Sequence, residues 1–229
     1  MSEIIHIAAL DGSGTLPAYA NGPADAEAAI IVIQEIFGVN PGIRMMVDHW
    51  AALGYRSVAP ELYWRLAPGA SFDPDVPEQF QQAYGIYQKF DMTAAVGDIE
   101  ATIRALRASG ARKIGLVGYC LGGSLAYLSA CRTDIDASVG YYGVGYHKML
   151  GEAHAIANPL MMHIATQDGF VPAENQAEIH AALDPHPRVT LHDYAADHAF
   201  ARAVGASRVP DMAELADART MMFFQQNLA

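Results

Sequence analysis

Residues 113–123 decide the fold and read KIGLVGYCLGG. The run up to Gly118 is apolar and typical of a buried strand, and helical spacing follows from Gly122. Between them a cysteine, Cys120, occupies the centre of the pattern Gly-x-nucleophile-x-Gly. A strand that turns this sharply into a helix brings together the residues two before and two after the centre, so neither can carry a side chain. The stretch therefore predicts a nucleophile elbow with Cys120 at a helix N-terminus, where the partial positive charge favours a thiolate.

Apolar strands and helical stretches alternate on both sides of this elbow. Strands are predicted at 3–10, 15–19, 28–33, 55–59, 113–118, 136–142, 159–166 and 188–194, and helices at 42–53, 93–108, 122–131, 172–183 and 211–227. The first two strands flank Asp11-Gly12, which is a hairpin signal. From residue 28 onward the alternation predicts an α/β fold, with a mostly parallel sheet and helices on both faces, in a single domain over 1–229. Residues 60–91 contain four prolines and are predicted as a long irregular excursion.

Composition excludes several classes of protein. The chain has 229 residues, of which 52% are hydrophobic, enough for a sizeable core. The net charge of −11 disfavours nucleic acid as a partner. Two cysteines do not make a disulfide framework and indicate a reducing compartment. The sequence begins with no secretory pattern and contains no apolar run of about 20 residues. We expect a cytoplasmic protein without membrane partners, monomeric or alternatively a homodimer, and without a metal or cofactor, since no metal-ligand motif occurs.

A cysteine nucleophile needs a base, and the base needs a carboxylate to orient it. In open parallel sheets the site lies beyond the carboxyl ends of the strands. Asp168 follows the strand at 159–166 and His198 follows the strand at 188–194, in the order nucleophile, acid, base that α/β-hydrolases use. The structural alternatives are a packing cysteine at 120, a turn or helix cap at Asp168 and a surface loop histidine at 198. Cys131, inside a helix, is predicted to pack in the core.

Five segments of the chain resemble the dienelactone hydrolase family of the α/β-hydrolase fold. They are Gln34–Asn40, Gly118–Gly123, Gly140–Gly145, Asp168–Pro172 and His198–Arg202. The resemblance spans almost the whole chain and implies hydrolysis of an enol-lactone, dienelactone to maleylacetate, through a Cys120-His198-Asp168 triad and an acyl-enzyme. It also implies that a glutamate, Glu35, holds the resting thiol and takes its proton when substrate arrives. The alternative for Glu35 is a structural carboxylate paired with an arginine such as Arg44.

The same resemblance implies an oxyanion hole and a substrate clamp. The oxyanion hole would use the backbone N–H groups of Ile36 and Leu121. Of the two arginines that clamp the substrate carboxylate in the family, one matches Arg202, whereas Phe80 occupies the position of the other. Aromatic side chains expected to line an apolar pocket, or else to pack in the core, are Phe37, Tyr84, Tyr87, Tyr142 and Phe200.

Three functions remain open from the sequence. The first is a cysteine-dependent hydrolase of a small lactone or ester, including a broad small-ester esterase. The second is a thioesterase or peptidase of the serine-hydrolase type on the same fold. The third is a thiol protein that senses or binds an electrophile without turnover. Phe80 stands in place of the second clamp arginine and therefore puts the identity of the substrate in question. The triad chemistry does not depend on residue 80.

Overall fold

The first 114 residues carry a mixed sheet. The computed structural model describes residues 1–229, which group into two units, Met1–Ile114 and Gly115–Ala229. The strands of the first unit are β1 (Glu3–Ala8), β2 (Thr15–Asn21), β3 (Ala28–Ile33) and β4 (Arg56–Pro60). Strand β2 pairs antiparallel with both β1 and β4, and β3 pairs parallel with β4. The predicted hairpin is confirmed, since Ala8 lies opposite Thr15 across the turn.

Three helices complete this unit: α1 (Pro41–Ala52), α2 (Pro77–Tyr87) and α3 (Met92–Ala108). The Asn40 side chain caps α1 by accepting the Ile43 N–H at 3.1 Å. Helix α2 lies inside the stretch that the prolines predict as irregular, so that prediction is wrong for these residues. Pro77 is the first residue of α2, where its missing N–H leaves no bond unmade and its fixed φ suits a helix.

The second unit carries four parallel strands in chain order: β5 (Lys113–Tyr119), β6 (Ala137–Tyr141), β7 (Leu160–Ala165) and β8 (Val189–Tyr194). The unit boundary falls within β5. Its helices are α4 (Leu121–Arg132), α5 (Ala173–Leu183) and α6 (Pro210–Asn227), together with a 3-10 segment at Tyr146–Ala155 that the sequence pattern does not predict. All six residues of β7 and the first ten of α4 are buried. The backbone that carries the elbow therefore lies in a closely packed environment.

The predicted α/β class is confirmed. Every predicted strand and helix is present, with ends that differ by two residues or fewer. The strand predicted to reach residue 142 ends at Tyr141, because Tyr142 has a positive φ of 38° that a strand does not admit. The single domain over 1–229 stays a prediction. None of the helices combines the length and apolar composition that crossing a bilayer would require.

Candidate active site

Cys120 stands at the sharp junction between β5 and α4. Its φ of 55° and ψ of −112° lie outside the regions that side chains ordinarily allow. A Cβ on Gly118 would lie 2.0 Å from the carbonyl oxygen of Gly122, so the two glycines of the pattern face each other at a distance that no side chain fits. The steric reason for the motif is thus realised in the structure, and the predicted elbow is present.

Backbone hydrogen bonds hold this strained position. The Cys120 N–H donates to the carbonyl of Tyr141 at the end of β6, at 3.0 Å, and the Cys120 carbonyl accepts the Gly123 N–H at 2.9 Å. A Cβ on Gly123 would approach the same Tyr141 oxygen to 2.5 Å. The third glycine therefore lets the start of α4 pass close to β6.

The carboxylate and the imidazole meet at the ends of β7 and β8. His198 Nδ1 lies 2.7 Å from Asp168 Oδ2, and their side chains are 11% and 1% exposed. The other carboxylate oxygen accepts the Phe170 N–H at 2.8 Å. Asp168 therefore forms the turn that its sequence position suggested and also binds the histidine, one oxygen for each task. Both contacts are charge-assisted hydrogen bonds, which are the stronger kind.

Opposing effects act on the pKa of His198. Burial lowers it, whereas the negative charge of Cys120, hydrogen bonds with Asp168 and Cys120, and the charge of Asp168 raise it; together they bring it to about 10. Since Nδ1 faces Asp168, the ring contacts the carboxylate on one side and the Cys120 sulfur on the other. Cys131 differs: burial raises its pKa to about 11, a setting in which a thiol is inert.

Aromatic rings surround the histidine. The Tyr142 ring lies 5.1 Å from the His198 ring and the Phe170 ring 4.9 Å, both nearly perpendicular to it. Phe200 has no exposed surface and packs between Tyr142 and Tyr194, with ring centroids 5.6 and 4.9 Å away. In this arrangement Phe200 supports the ring of Tyr142 from behind.

Positive φ angles at non-glycine residues cluster at this edge of the second unit. They occur at Cys120, Tyr142 and Ala199 and nowhere else in the chain. Each follows the end of a strand, β5, β6 or β8. Such strained positions persist where the surrounding structure holds them, and they concentrate at functional sites.

Two further predicted residues belong to the second unit. Leu121 is the first residue of α4, so its N–H is one of the helix donors that has no partner within the helix. Arg202 follows His198 by four residues and is partly buried, with one guanidinium nitrogen 3.5 Å from Ser207 Oγ.

The remaining predicted residues lie in the first unit. Glu35 and Ile36 follow β3 and are 4% and 8% exposed. Arg44, the alternative partner of Glu35, donates to the Val39 carbonyl at 3.2 Å. The aromatic residues of this unit form two ring pairs, Phe37 with Phe80 at 5.8 Å and Tyr84 with Tyr87 at 6.2 Å. Phe37 is buried and Tyr84 is 44% exposed. Their contact with substrate stays a prediction.

Sequence reasoning missed two features of the site. Phe170, 58% exposed and against His198, carries no signal beyond an aromatic residue in a loop. Thr220 and the buried polar groups around it were also missed, although a threonine among the buried positions of α6 (Ala213, Ala216, Phe223 and Phe224) is a detectable irregularity. No three side chains of the kind that bind metals are grouped so that they could hold an ion.

Comparison with known proteins shows the family of the chain. The family model described as the dienelactone hydrolase family matches residues 16–228. The chain belongs to the dienelactone hydrolase family. A carboxymethylenebutenolidase of Pseudomonas putida is 44% identical over 229 residues, which cover 97% of this chain and 96% of that protein. Carboxymethylenebutenolidase 1 of Cupriavidus pinatubonensis is 38% identical over 225 residues, 96% of this chain and 95% of the relative.

A solved structure extends the family likeness to three dimensions. A crystal structure from Klebsiella pneumoniae, provisionally assigned as a dienelactone hydrolase, matches with a TM-score of 0.84 and 25% identity over 99% of this chain and 98% of that one. The α/β-hydrolase fold expected from the sequence is confirmed. As a dienelactone hydrolase family member with near full-length carboxymethylenebutenolidase relatives, the protein is a hydrolase of this type.

Proposed function

We propose that this hydrolase opens a small enol-lactone, dienelactone to maleylacetate, with Cys120 as nucleophile, His198 as acid and base, and Asp168 as its orienting carboxylate. The observation that carries the proposal is the double engagement of His198, which contacts Asp168 at 2.7 Å and is hydrogen-bonded to Cys120. A nucleophile and a base within hydrogen-bond reach, with a third group orienting the base, is the arrangement that acyl transfer requires.

The reaction divides into two halves. In the first, the Cys120 sulfur forms a bond to the lactone carbonyl carbon, the ring C–O bond breaks, and His198 gives its Nε2 proton to the departing enolate oxygen. The enol stays attached to the acyl chain and tautomerises to a ketone. In the second half, His198 takes a proton from water, the hydroxide adds to the thioester, and the C–S bond breaks to release the acid and the thiolate.

Asp168 holds the tautomer that this cycle needs. With Nδ1–H directed at its carboxylate, the imidazole presents Nε2 to the sulfur and the substrate. The Leu121 N–H at the start of α4 would donate to the oxyanion, and the Ile36 N–H is its proposed partner. Glu35 is proposed to take the thiol proton when substrate arrives and to return it to the thiolate after the acid is released; an unchanged pH–rate profile in Glu35→Gln would reduce it to a structural carboxylate.

A second candidate, a broad esterase of small neutral esters, is favoured by one observation. Phe80 stands where the resemblance implies a clamp arginine, and its ring lies 5.8 Å from that of Phe37. An aromatic pair offers apolar contact rather than a charged hydrogen bond to a substrate carboxylate. Arg202 remains as a cation that can pair with a carboxylate in bidentate fashion.

The experiment compares the two single-cysteine variants. Cys120→Ala should abolish turnover of dienelactone and p-nitrophenyl acetate, whereas Cys131→Ala, which changes the other thiol, should keep most of it. Retained turnover in Cys120→Ala would refute the mechanism. An unaltered protein that is alkylated at Cys120 by iodoacetamide but turns over neither substrate would be a thiol sensor, and turnover restricted to acyl-CoA would make it a thioesterase.

A further inference from the structure

A buried threonine joins α6 to two strands of the second unit, and the proposed reaction makes no use of it. Thr220 is 1% exposed. Its hydroxyl lies 2.6 Å from the hydroxyl of Tyr141 on β6 and 2.9 Å from Nε2 of His163 on β7. Buried polar groups are costly unless each is satisfied, so the direction of every bond in this cluster can be worked out.

One end of the cluster is a group that can only donate. Arg219 donates from a guanidinium N–H to the Tyr194 hydroxyl at 3.0 Å. That hydroxyl, having accepted, gives its own proton to Nδ1 of His163 at 2.8 Å. Burial, together with the charges of His192 and Arg219, holds the pKa of His163 well below its usual range. The ring is therefore neutral, with Nδ1 as acceptor and the single proton on Nε2.

The other end is a group that can only accept. His163 Nε2–H donates to the Thr220 hydroxyl, which then donates to the Tyr141 oxygen, and the Tyr141 hydroxyl donates to Asp217 Oδ1 at 3.1 Å. The five bonds therefore run in one direction, from the Arg219 cation to the Asp217 carboxylate, and each interior group donates once and accepts once. Bonds arranged in this way strengthen one another.

The two residues that Thr220 holds also carry the backbone of the candidate site. The Tyr141 carbonyl accepts the Cys120 N–H at 3.0 Å, and the His163 carbonyl accepts the Tyr142 N–H at 2.8 Å. Cys120 and Tyr142 are two of the three strained positions, and the Tyr142 ring packs against His198. The Thr220 hydroxyl thus lies between the side chains of Tyr141 and His163. The carbonyls of these two residues hold the backbone of Cys120 and Tyr142.

We propose that Thr220 is a positioning residue of the active site: its hydroxyl fixes Tyr141 and His163, and through their carbonyls the backbones of Cys120 and Tyr142. The inference rests on the proposed function in one respect, namely that Cys120 is the nucleophile. A small displacement of a reacting group far from the substituted residue is enough to lower the rate of the chemical step, because attack depends on near-ideal geometry.

The test removes the hydroxyl while keeping the shape of the side chain. Thr220→Val should lower kcat for p-nitrophenyl acetate about 10-fold with KM changed less than about 2-fold, since binding groups stay in place. Thr220→Ser, which keeps the hydroxyl, should restore most of kcat. Thr102→Val is the matched control: Thr102 is fully buried in α3, but its hydroxyl bonds only to the Asp98 carbonyl of its own helix, so kcat should stay unchanged.

Other outcomes overturn the inference without touching the proposed function, which the Cys120→Ala variant tests separately. An unchanged kcat in Thr220→Val with a lowered Tm would make the threonine merely structural. If Thr220→Val does not fold, Tyr141→Phe removes one link of the same chain from β6, and an unchanged kcat there is equally contradictory. A measurement that needs no variant is the ¹⁵N shift pattern of His163, which should report the Nε2–H form; the Nδ1–H form would interrupt the deduced chain at His163 and contradict the inference.

Discussion

His198 illustrates how one side chain depends on the charges that face it. Burial alone would lower its pKa, because a low-dielectric surrounding disfavours the imidazolium. The sulfur of Cys120 and the carboxylate of Asp168 lie on opposite sides of the ring and reverse this. The histidine therefore holds its proton at neutral pH, where it can be given to a leaving group.

The first prediction removes the charge that raises the pKa of His198 most, which is that of Cys120. In Cys120→Ser the pKa of His198 should fall, because the negative sulfur is lost while burial remains. Cys131→Ser is the control, since Cys131 interacts with Tyr127 and Glu152 rather than with His198. NMR titration of the His198 imidazole measures the change. An unaltered pKa in Cys120→Ser would mean that Asp168 alone raises it.

The second prediction concerns the substrate at residue level. Phe80→Arg should lower KM for anionic dienelactone by roughly 10-fold, the value of a charge-assisted hydrogen bond of about 1.5 kcal/mol. A neutral ester of similar size should gain nothing from the new cation and should lose apolar contact. Steady-state kinetics on both substrates decides the matter, and an equal change for both, or none, would show that residue 80 does not contact the substrate.

At the scale of elements, the β5–α4 junction depends on glycine for contact distance. Gly118 has an ordinary φ, so its lack of a side chain is required by the approach of Gly122 rather than by its own backbone. Helix α4 begins immediately after the strained residue and is buried along its first ten residues, which leaves it little room to shift. The elbow is therefore a property of two packed elements.

The third prediction follows from this contact. Gly118→Ala should lower the free energy of unfolding by about 1–3 kcal/mol or more and should reduce kcat, because the new Cβ forces α4 away from β5. Gly97→Ala in α3 is the matched control: its Cβ meets nothing within 4 Å, so the variant should gain up to about 1 kcal/mol from helix propensity. Denaturant unfolding and steady-state kinetics measure both. A Gly118→Ala variant as stable and active as the parent would contradict the steric account.

At the scale of the whole molecule, the buried His163 makes stability depend on pH. Its pKa in the folded protein is well below the unfolded value of 6.5, so under mildly acidic conditions the unfolded chain binds a proton that the native protein does not. Stability contributed by this group is complete above about pH 6.5 and is lost as the pH falls. His198 has a raised pKa and acts in the opposite sense, because near pH 6.5 the native protein holds a proton there that the unfolded chain only partly binds; this opposing slope fades about one pH unit below 6.5, where both states are protonated.

The fourth prediction is the resulting slope. Between pH 6.5 and 5 the free energy of unfolding should fall by up to about 1.4 kcal/mol per pH unit through His163, and His192, whose pKa burial also lowers, adds to it. His163→Gln should flatten the slope even if it lowers stability overall, whereas His6→Gln, on an exposed position, should leave it unchanged. Urea denaturation at a series of pH values measures the slope, and an equally steep slope in His163→Gln would contradict the assignment.

Local patterns were sufficient to predict most of the elements and the order of the candidate triad. Strand β3 is apolar on both faces because it is buried on both, and a run of six such residues carries that signal within itself. The elbow at Cys120 is equally local, since a side chain at position 118 would collide with Gly122, only four residues further along the chain. Asp168 and His198 could be found because chemistry in a parallel sheet lies where strands end. Helix α2 was missed because proline at a helix start and proline in a loop look alike in sequence.

What only the tertiary structure decided are the contacts between residues distant in the chain. That Thr220 lies between Tyr141 and His163 joins positions 79 and 57 residues apart. The same holds for Asp168 and His198, which lie 30 residues apart but share a hydrogen bond of 2.7 Å. Periodicity tells which face of α6 is buried, but not which strand residue meets it, because that depends on the packing of the helix against the sheet. The proposed chemistry is therefore argued from local spacing, whereas the protonation of the buried histidines and the backbone support of Cys120 depend on the packed molecule.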